Sequence, residues 1–175
     1  MKALVVYESL FGNTASIAKA VAGGLRVHGV DAEACPVGEI RASDTTGIDL
    51  LIVGGPTHAH GMSRAATRKA GASDKRNTFA EPTVSPGLRE WLVDLPDGAM
   101  RPAAAFDTRF DRSPLLTGSA AKGIVRRLQQ RGFTMVAPPE SFFVTADNRL
   151  EQGQTDHATA WGAALADRIT VATAP

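Results

Sequence analysis

Hydroxyl, amide and glycine residues cluster in one short segment near the N-terminus. Residues 8–14 read ESLFGNT and lead from an apolar run straight into a helical pattern. Hydroxyls at Ser9 and Thr14, the amide of Asn13 and a turn at Gly12 are what an anion-binding loop needs. Backbone N–H groups at the positive end of a helix dipole hold a phosphate without a cationic side chain. The alternative is a plain Asn or Thr helix cap after a strand.

A second segment joins small residues to two histidines. Residues 54–62 read GGPTHAHGM and follow another apolar run. The glycines permit a close approach of the backbone to a ligand, and Pro56 fixes a bend. The alternative is a Gly/Pro turn that exposes His58 and His60 to solvent.

A third segment mixes charges with aromatic rings. Residues 106–112 read FDTRFDR and follow the run 101–106. Charged groups beside aromatic rings at the end of a strand would clamp a polar, planar ligand. A surface loop held by salt bridges explains the same residues equally well.

The elements that position these segments alternate between strand and helix. Short apolar runs predict five strands, at 2–7, 30–35, 49–53, 101–106 and 134–145, the last interrupted by Pro138-Pro139. Apolar stripes at helical spacing predict helices at 13–28, 118–131 and 155–170. This alternation is typical of βαβ units in a parallel sheet that helices cover on both faces. Ligands bind beyond the carboxyl ends of such strands, so we expect the three segments to meet there.

Composition and charge exclude several classes of protein. With 175 residues, we expect a single domain over 1–175. The 19 Lys and Arg against 18 Asp and Glu argue against a globally basic nucleic-acid binder. One cysteine excludes an internal disulfide framework, and no metal site is predicted. No apolar run reaches the roughly 20 residues of a membrane span, and the N-terminus is unlike a signal peptide. We therefore expect a cytoplasmic protein without a membrane or nucleic-acid partner.

The stretch 63–86 is predicted to be a long, partly ordered basic insertion, followed by a short helix over 86–95. Its charged residues are Arg64, Arg68, Lys69, Asp74, Lys75, Arg76 and Glu81. The insertion would dock an acidic partner, hold the phosphate of a nicotinamide nucleotide, or contact a longer acidic cofactor tail. A solvated loop that contacts nothing is the alternative.

The first two segments together resemble the flavodoxin family. VYESLFGNTASIAKAVAGGL is similar to the flavin-phosphate loop of that family, and DLLIVGGPTHAHGM to its turn after strand three, with a G-x-P-T core. The resemblance implies an α/β flavodoxin-like three-layer sandwich. Its parallel sheet would have five strands in the order 2-1-3-4-5. It also implies a bound FMN.

The same resemblance assigns the FMN contacts to all three segments. The phosphate is expected at Ser9, Phe11, Gly12, Asn13 and Thr14. The isoalloxazine ring is expected beside Pro56, Thr57, His58, Ala59, His60 and Gly61. The other side of the ring and its pyrimidine edge are expected at Asp107, Thr108, Arg109 and Phe110. In this reading a cation at Arg109 would stabilise an anionic reduced flavin.

The chain departs from the family in the aromatic residues that would cover the ring. Family members usually sandwich the ring with Trp or Tyr, whereas Trp91 and Trp161 lie on predicted helices and are expected in the core. His58, His60 or Phe110 must therefore stack on the ring, or one face stays open.

Three functions remain, and no catalytic residue is predicted for any of them. The first, which the short chain favours, is an FMN-binding electron-transfer protein that serves a redox partner protein or a small-molecule acceptor. The second is an FMN-dependent NAD(P)H:quinone-type oxidoreductase of the same fold. The third is a binding module without a redox role. A deazaflavin in place of FMN is a further alternative, because the ring slot does not distinguish the two ring systems.

Overall fold

The computed structural model describes residues 1–58, 61–75, 77–79, 82–83, 85–113 and 117–172. The strands are β1 (Lys2–Tyr7), β2 (Asp31–Pro36), β3 (Leu50–His58), β4 (Gly61–Met62), β5 (Pro102–Phe110), β6 (Thr134–Met135) and β7 (Glu140–Val144). The helices are α1 (Asn13–Val27), α2 (Ala65–Ala72), α3 (Leu88–Val93), α4 (Ala120–Gln130) and α5 (Gln154–Ala172). A 3-10 turn spans Ala42–Thr45.

The strands form a parallel sheet in the order β2-β1-β3-β5, and β6 and β7 share the last position. Residues 134–135 pair with the start of β5 and residues 140–144 with its end. The interruption falls at Pro138-Pro139, which cannot donate ladder hydrogen bonds. The short strand β4 turns back antiparallel onto β3. The predicted order 2-1-3-4-5 is confirmed.

Helices cover both faces of the sheet, which gives three layers. On one face, the core contains side chains of α1 and α5, and on the other, side chains of α3 and α4. Helices α1 and α5 cross closely at two glycines. A Cβ on Gly24 would lie 2.0 Å from the carbonyl oxygen of Thr159, and one on Gly162 would lie 2.3 Å from that of Val21.

Two strands are longer than the sequence predicted. Strand β3 continues to His58 and β5 to Phe110, so the segments after the third and fourth predicted strands are strand ends and not loops. The extension pairs Gly54 with Phe106 and Pro56 with Thr108, and β7 continues the ladder on the far side of β5. Gly and Pro residues are uncommon in strands, so the local sequence did not predict this extension. Hydrogen bonding to the neighbouring strands extends β3 and β5 nevertheless.

The insertion is also more regular than predicted, because it contains α2. The helix expected over 86–95 is α3, which is shorter at both ends. Among the described residues, no helix is both long and apolar enough to cross a membrane.

Candidate functional site

The loop between β1 and α1 is shaped by its own side chains. The hydroxyl of Ser9 accepts hydrogen bonds from the N–H groups of Gly12 (3.1 Å) and Ala15 (3.3 Å). Gly12 turns the chain with a φ of 85°, a conformation that L side chains rarely adopt. Its carbonyl then accepts the N–H of Ser16, at 3.0 Å. Ser9 therefore braces the loop from inside, and is only 1% exposed.

Four backbone N–H groups of this loop are left without an acceptor in the part of the chain that the structure describes. They belong to Leu10, Phe11, Asn13 and Thr14. All four residues line one cavity, at the positive end of the α1 dipole. Unpaired donors there suit a group that carries negative oxygen atoms, and a phosphate monoester meets that requirement.

The cavity is about 220 Å³ and runs from this loop to the carboxyl ends of β3, β5 and β7. Its further lining residues are Pro56, Thr57, His58, Thr108, Arg109, Phe110, Val144 and Asn148. The structure thus brings together residues from all three segments that the sequence singled out. Two of the predicted residues, Ala59 and His60, lie outside the described residues.

Two hydrogen bonds tie the loop to the far side of the cavity. The hydroxyls of Thr14 and Thr108 lie 2.8 Å apart. The side-chain amide of Asn13 donates to the carbonyl of Asn148, also at 2.8 Å. The first turn of α1 is therefore fixed against β5 and against the turn that follows β7.

A histidine and two phenylalanines surround the opening of the cavity. His58 and Phe110 line it, and both residues also border, with Phe11, a second cavity of about 430 Å³ beside α2. Burial lowers the pKa of His58, so its imidazole is neutral at neutral pH. Phe110 is 45% exposed, which is unusual for a phenylalanine ring. Phenylalanine rings and a neutral imidazole suit the face of a planar ring.

The two tryptophans lie in the cores, as predicted, and neither lines the cavity. Trp91 is 3% exposed, and its indole N–H donates to the carbonyl of Ile40. Trp161 packs edge-on against Phe106 and Phe142. Among the described residues, the ring side chains that line the cavity are Phe11, His58 and Phe110.

Asp107 does not point at the cavity. It is fully buried, and its Oδ2 accepts hydrogen bonds from the hydroxyls of Thr57 (3.0 Å) and Ser119 (2.7 Å). The same oxygen accepts the N–H of Ala121, at 3.0 Å. Asp107 thus caps the first turn of α4. Side chains alternate along a strand, so Thr108, and not Asp107, lies on the cavity side.

Arg109 lines the cavity, and hydrogen bonds hold its guanidinium group in place. Its Nε donates to the hydroxyl of Ser141, and its guanidinium lies 5.0 Å from the ring centre of Phe143. Its Nη1 donates to the carbonyls of Phe110 and Arg112. These contacts hold the guanidinium against β7, and its predicted role at the edge of a flavin stays a prediction. Arg109 is a strand residue and not part of a loop.

The insertion packs against the outer side of the loop. The side-chain amide of Asn77 donates to the carbonyl of Leu10, at 2.9 Å. Thr83 and Ser9 exchange two hydrogen bonds, of 2.7 and 3.1 Å. The ring of Phe79 lies against Gly12, and an added Cβ there would be 3.0 Å from it. The insertion is therefore a support for the loop and not a free surface segment.

Arg68, one of the cations counted in the insertion, is buried. It is 1% exposed and donates to the hydroxyl of Ser63 and to the carboxylate of Glu90. Its Nη1 also lies 3.9 Å from Oε2 of Glu8. This ion-pair network joins α2 to α3 and to the end of β1, so Arg68 is not available to a docking partner.

Two further residues line the cavity that the sequence did not predict, Val144 at the end of β7 and Asn148 in the turn after it. The rule that ligands bind at the carboxyl ends of strands also applies to the fifth strand and would have indicated them. Within the described residues, no three His, Cys, Asp or Glu side chains are grouped as a metal site would require.

The sheet order, the two helical layers and the loop after β1 define a flavodoxin-like fold. Solved structures of flavodoxins match nearly the whole chain. A flavodoxin from the domain Archaea has 18% sequence identity and a TM-score of 0.68, with 97% of this chain and 99% of that chain covered. Oxidised flavodoxin 1 from Bacillus cereus has 20% identity and a TM-score of 0.68, with 95% and 98% covered.

The same fold also occurs as part of a longer protein. Rubredoxin oxygen:oxidoreductase from the anaerobe Desulfovibrio gigas has 18% identity and a TM-score of 0.64. The match covers 99% of this chain but 37% of that one. No protein-family model and no curated protein matches the sequence. At these identities the likeness concerns the fold.

Proposed function

We propose that this chain is a single flavodoxin-like domain that binds FMN and transfers electrons to a redox partner. The observation that carries the proposal is the loop of residues 9–14. Its four unpaired N–H groups, at Leu10, Phe11, Asn13 and Thr14, line the same cavity as the strand ends. A phosphate at one end and a planar ring at the other are the two parts of FMN. The flavodoxin-like fold supports the same cofactor.

Each part of the cavity has a distinct role in this proposal. The loop would hold the phosphate, and the bond from Thr14 to Thr108 fixes the loop at its distance from the ring position. Pro56, His58 and Phe110 would flank the ring and exclude water from it. FMN, when bound, supplies reversible uptake of electrons, while the protein supplies binding and electrostatics.

We favour a carrier over an oxidoreductase with its own substrate. The flavodoxins that match this chain over nearly their whole length support a carrier. Among the described residues that line the cavity, His58 is the one side chain whose ordinary pKa lies near neutral, and because burial lowers that pKa it carries no proton to donate at neutral pH. A carrier needs no proton donor at this place.

The decisive experiment compares FMN with riboflavin, which has the same ring but no phosphate. We expect one FMN to bind per chain, with riboflavin bound at least about tenfold more weakly because it leaves the loop N–H groups unpaired. Quenching of flavin fluorescence measures both affinities. Equal affinities would contradict the role of the loop, and no binding of either flavin would overturn the proposal.

A second measurement separates the carrier from the enzyme. The FMN-loaded protein would be reduced stepwise without oxygen, and then mixed with NADPH and a quinone. We expect electron uptake at the flavin but no steady-state turnover. Sustained quinone reduction would favour the oxidoreductase.

A further inference from the structure

A basic groove lies on the face of the sheet that α3 and α4 cover. It is about 620 Å³. Its lining residues are Gly61, Met62, Arg89, Gly118, Ser119, Lys122, Gly123, Arg126, Arg127 and Gln130. The lining combines small residues and strand β4 with four cationic side chains. None of the described residues that line the groove is acidic.

Most of the positive charge comes from one side of α4. Lys122 and Arg126 are one turn apart and exposed, and Arg127 is half-buried beside them. The helix sequence AAKGIVRRLQQ contains no acidic residue. Within the described part of the chain, none of these three cations forms an ion pair.

Arg89 adds a fixed cation from α3. Its guanidinium donates to the carbonyls of Met62 and Ser63, which holds it against β4. Burial lowers the pKa of Arg89, and the nearby positive charges of Arg64 and Arg127 lower it further, while the charges of Glu90 and Glu8 offset only part of this. Cations that repel one another in this way are stabilised by an anionic partner.

The groove differs from the loop after β1 in its backbone donors. The N–H of Ala120 donates to the hydroxyl of Thr57, that of Ala121 to Asp107, and that of Lys122 to Ser119. The first turn of α4 therefore has no unpaired N–H among these residues for a phosphate. The groove offers three side-chain cations spread over about one and a half turns of α4, or roughly 7.5 Å, with Arg89 beside them on α3. That spacing suits several separate carboxylates better than one phosphate group.

The groove and the cofactor cavity share one hairpin. His58, at the end of β3, lines the cavity, and Gly61, its partner in β4, lines the groove. Whatever occupies the groove is therefore next to the strand end that flanks the proposed flavin. We propose that the basic groove docks a carboxylate-rich surface of a partner protein. Only the redox role of that partner rests on the proposed function, and the docking itself does not.

The test uses fluorescein-labelled poly-L-glutamate and the full chain, with binding followed by fluorescence anisotropy. We expect binding at low ionic strength that weakens as salt is added. The variants Lys122→Glu and Arg126→Glu should each weaken binding by about three- to tenfold, since each reverses one contact charge. Both positions are exposed, so the fold should be kept, which circular dichroism checks.

The control variant is Lys19→Glu, which reverses the same charge at an exposed position of α1, on the opposite face of the sheet. Its affinity for poly-L-glutamate should stay within about twofold of wild type. If the control weakens binding as much as the groove variants do, the attraction is general, and the proposal is overturned. A single-stranded DNA oligonucleotide that binds more tightly and loses affinity in both groove variants would overturn it too.

Measuring the affinity for FMN in the same variants tests the docking proposal and the proposed function independently. Neither Lys122 nor Arg126 lines the cofactor cavity, so both variants should keep wild-type affinity for FMN. If the protein binds FMN but not poly-L-glutamate, the docking proposal alone is overturned. Failure to bind FMN, with docking intact, overturns the proposed function alone.

Discussion

The hydroxyls of Thr14 and Thr108 form a buried hydrogen bond of 2.8 Å between the first turn of α1 and the end of β5. Thr14 is 2% exposed and Thr108 is 5% exposed. The bond connects two parts of the cavity, because Thr14 lies in the loop after β1 and Thr108 at the end of β5. In the proposed function, this bond would set the distance between the phosphate and the ring of FMN.

Replacing one of these hydroxyls should be costly for stability. Thr108→Val keeps the shape of the side chain but leaves the Thr14 hydroxyl buried without this partner. We expect the free energy of unfolding to fall by about 1–3 kcal/mol, as for other unsatisfied buried polar groups. Urea denaturation in the absence of flavin measures the change.

The double variant Thr14→Val/Thr108→Val is the control for this bond. Because both polar groups are removed together, the loss should be smaller than the sum of the two single losses. Additive losses would show that the two hydroxyls contribute independently.

Gly12 should be needed for both the loop and the cofactor. Its φ of 85° costs an L side chain about 1–2 kcal/mol, and an added methyl would also press on Phe79. We therefore expect Gly12→Ala to destabilise the protein and to weaken FMN binding by about tenfold or more. Denaturation and flavin fluorescence measure the two effects.

Gly29→Ala is the matched control for this prediction. Gly29 has a φ of 78°, but an added Cβ would have no neighbour within 4 Å. The loss of stability that the positive φ causes should be similar in Gly29→Ala and Gly12→Ala, while Gly29→Ala should leave the affinity for FMN unchanged. Equal loss of FMN affinity in the two variants would mean that Gly12 acts through stability alone.

The sequence predicted those features that depend on local pattern. Strand β1 falls at the predicted residues 2–7, and α1 ends one residue earlier than predicted, because apolar runs and helical stripes are encoded over short windows. The strand order followed from the resemblance of two motifs at their spacing. The loop at Ser9 to Thr14 was recognised because hydroxyls and a glycine directly precede a helix.

The sequence did not predict features that depend on distant partners. Pro56 and Asp107 continue their strands because neighbouring strands pair with them, and no local signal carries that information. The direction of Arg109 depends on Ser141, which lies on another strand. The basic groove was missed because it joins Arg89 to Lys122 across two helices. Each of these features is set by tertiary contacts.

Glu8 should make stability depend on pH. Burial raises its pKa above the ordinary value of 4.5, and hydrogen bonds from Ser63 and Leu88 and the charge of Arg68 only partly offset this. The folded protein therefore holds a proton that the unfolded chain has lost once the pH exceeds 4.5. Stability should fall as pH rises from 4.5 to the folded pKa, and then level off.

The variant Glu8→Gln should remove this dependence, since its amide does not titrate and still accepts the N–H of Leu88. Relative to wild type, it should gain stability as the pH rises. Urea denaturation from about pH 4 to about pH 8 measures the difference. The exposed Glu33→Gln should stay within about 0.5 kcal/mol of wild type throughout. A constant difference between Glu8→Gln and wild type would show that Glu8 ionises normally.

Phe110 should matter to the ring of the cofactor and not to the fold. The side chain of Phe110 is 45% exposed. The variant Phe110→Ala should therefore change the free energy of unfolding by less than about 0.5–1 kcal/mol. We expect weaker binding of both FMN and riboflavin, by similar factors, because the ring loses an apolar contact of about 1–2 kcal/mol. A loop variant such as Gly12→Ala should instead weaken the binding of FMN more than the binding of riboflavin. If Phe110→Ala binds both flavins as wild type does, the ring lies elsewhere in the cavity, beside His58.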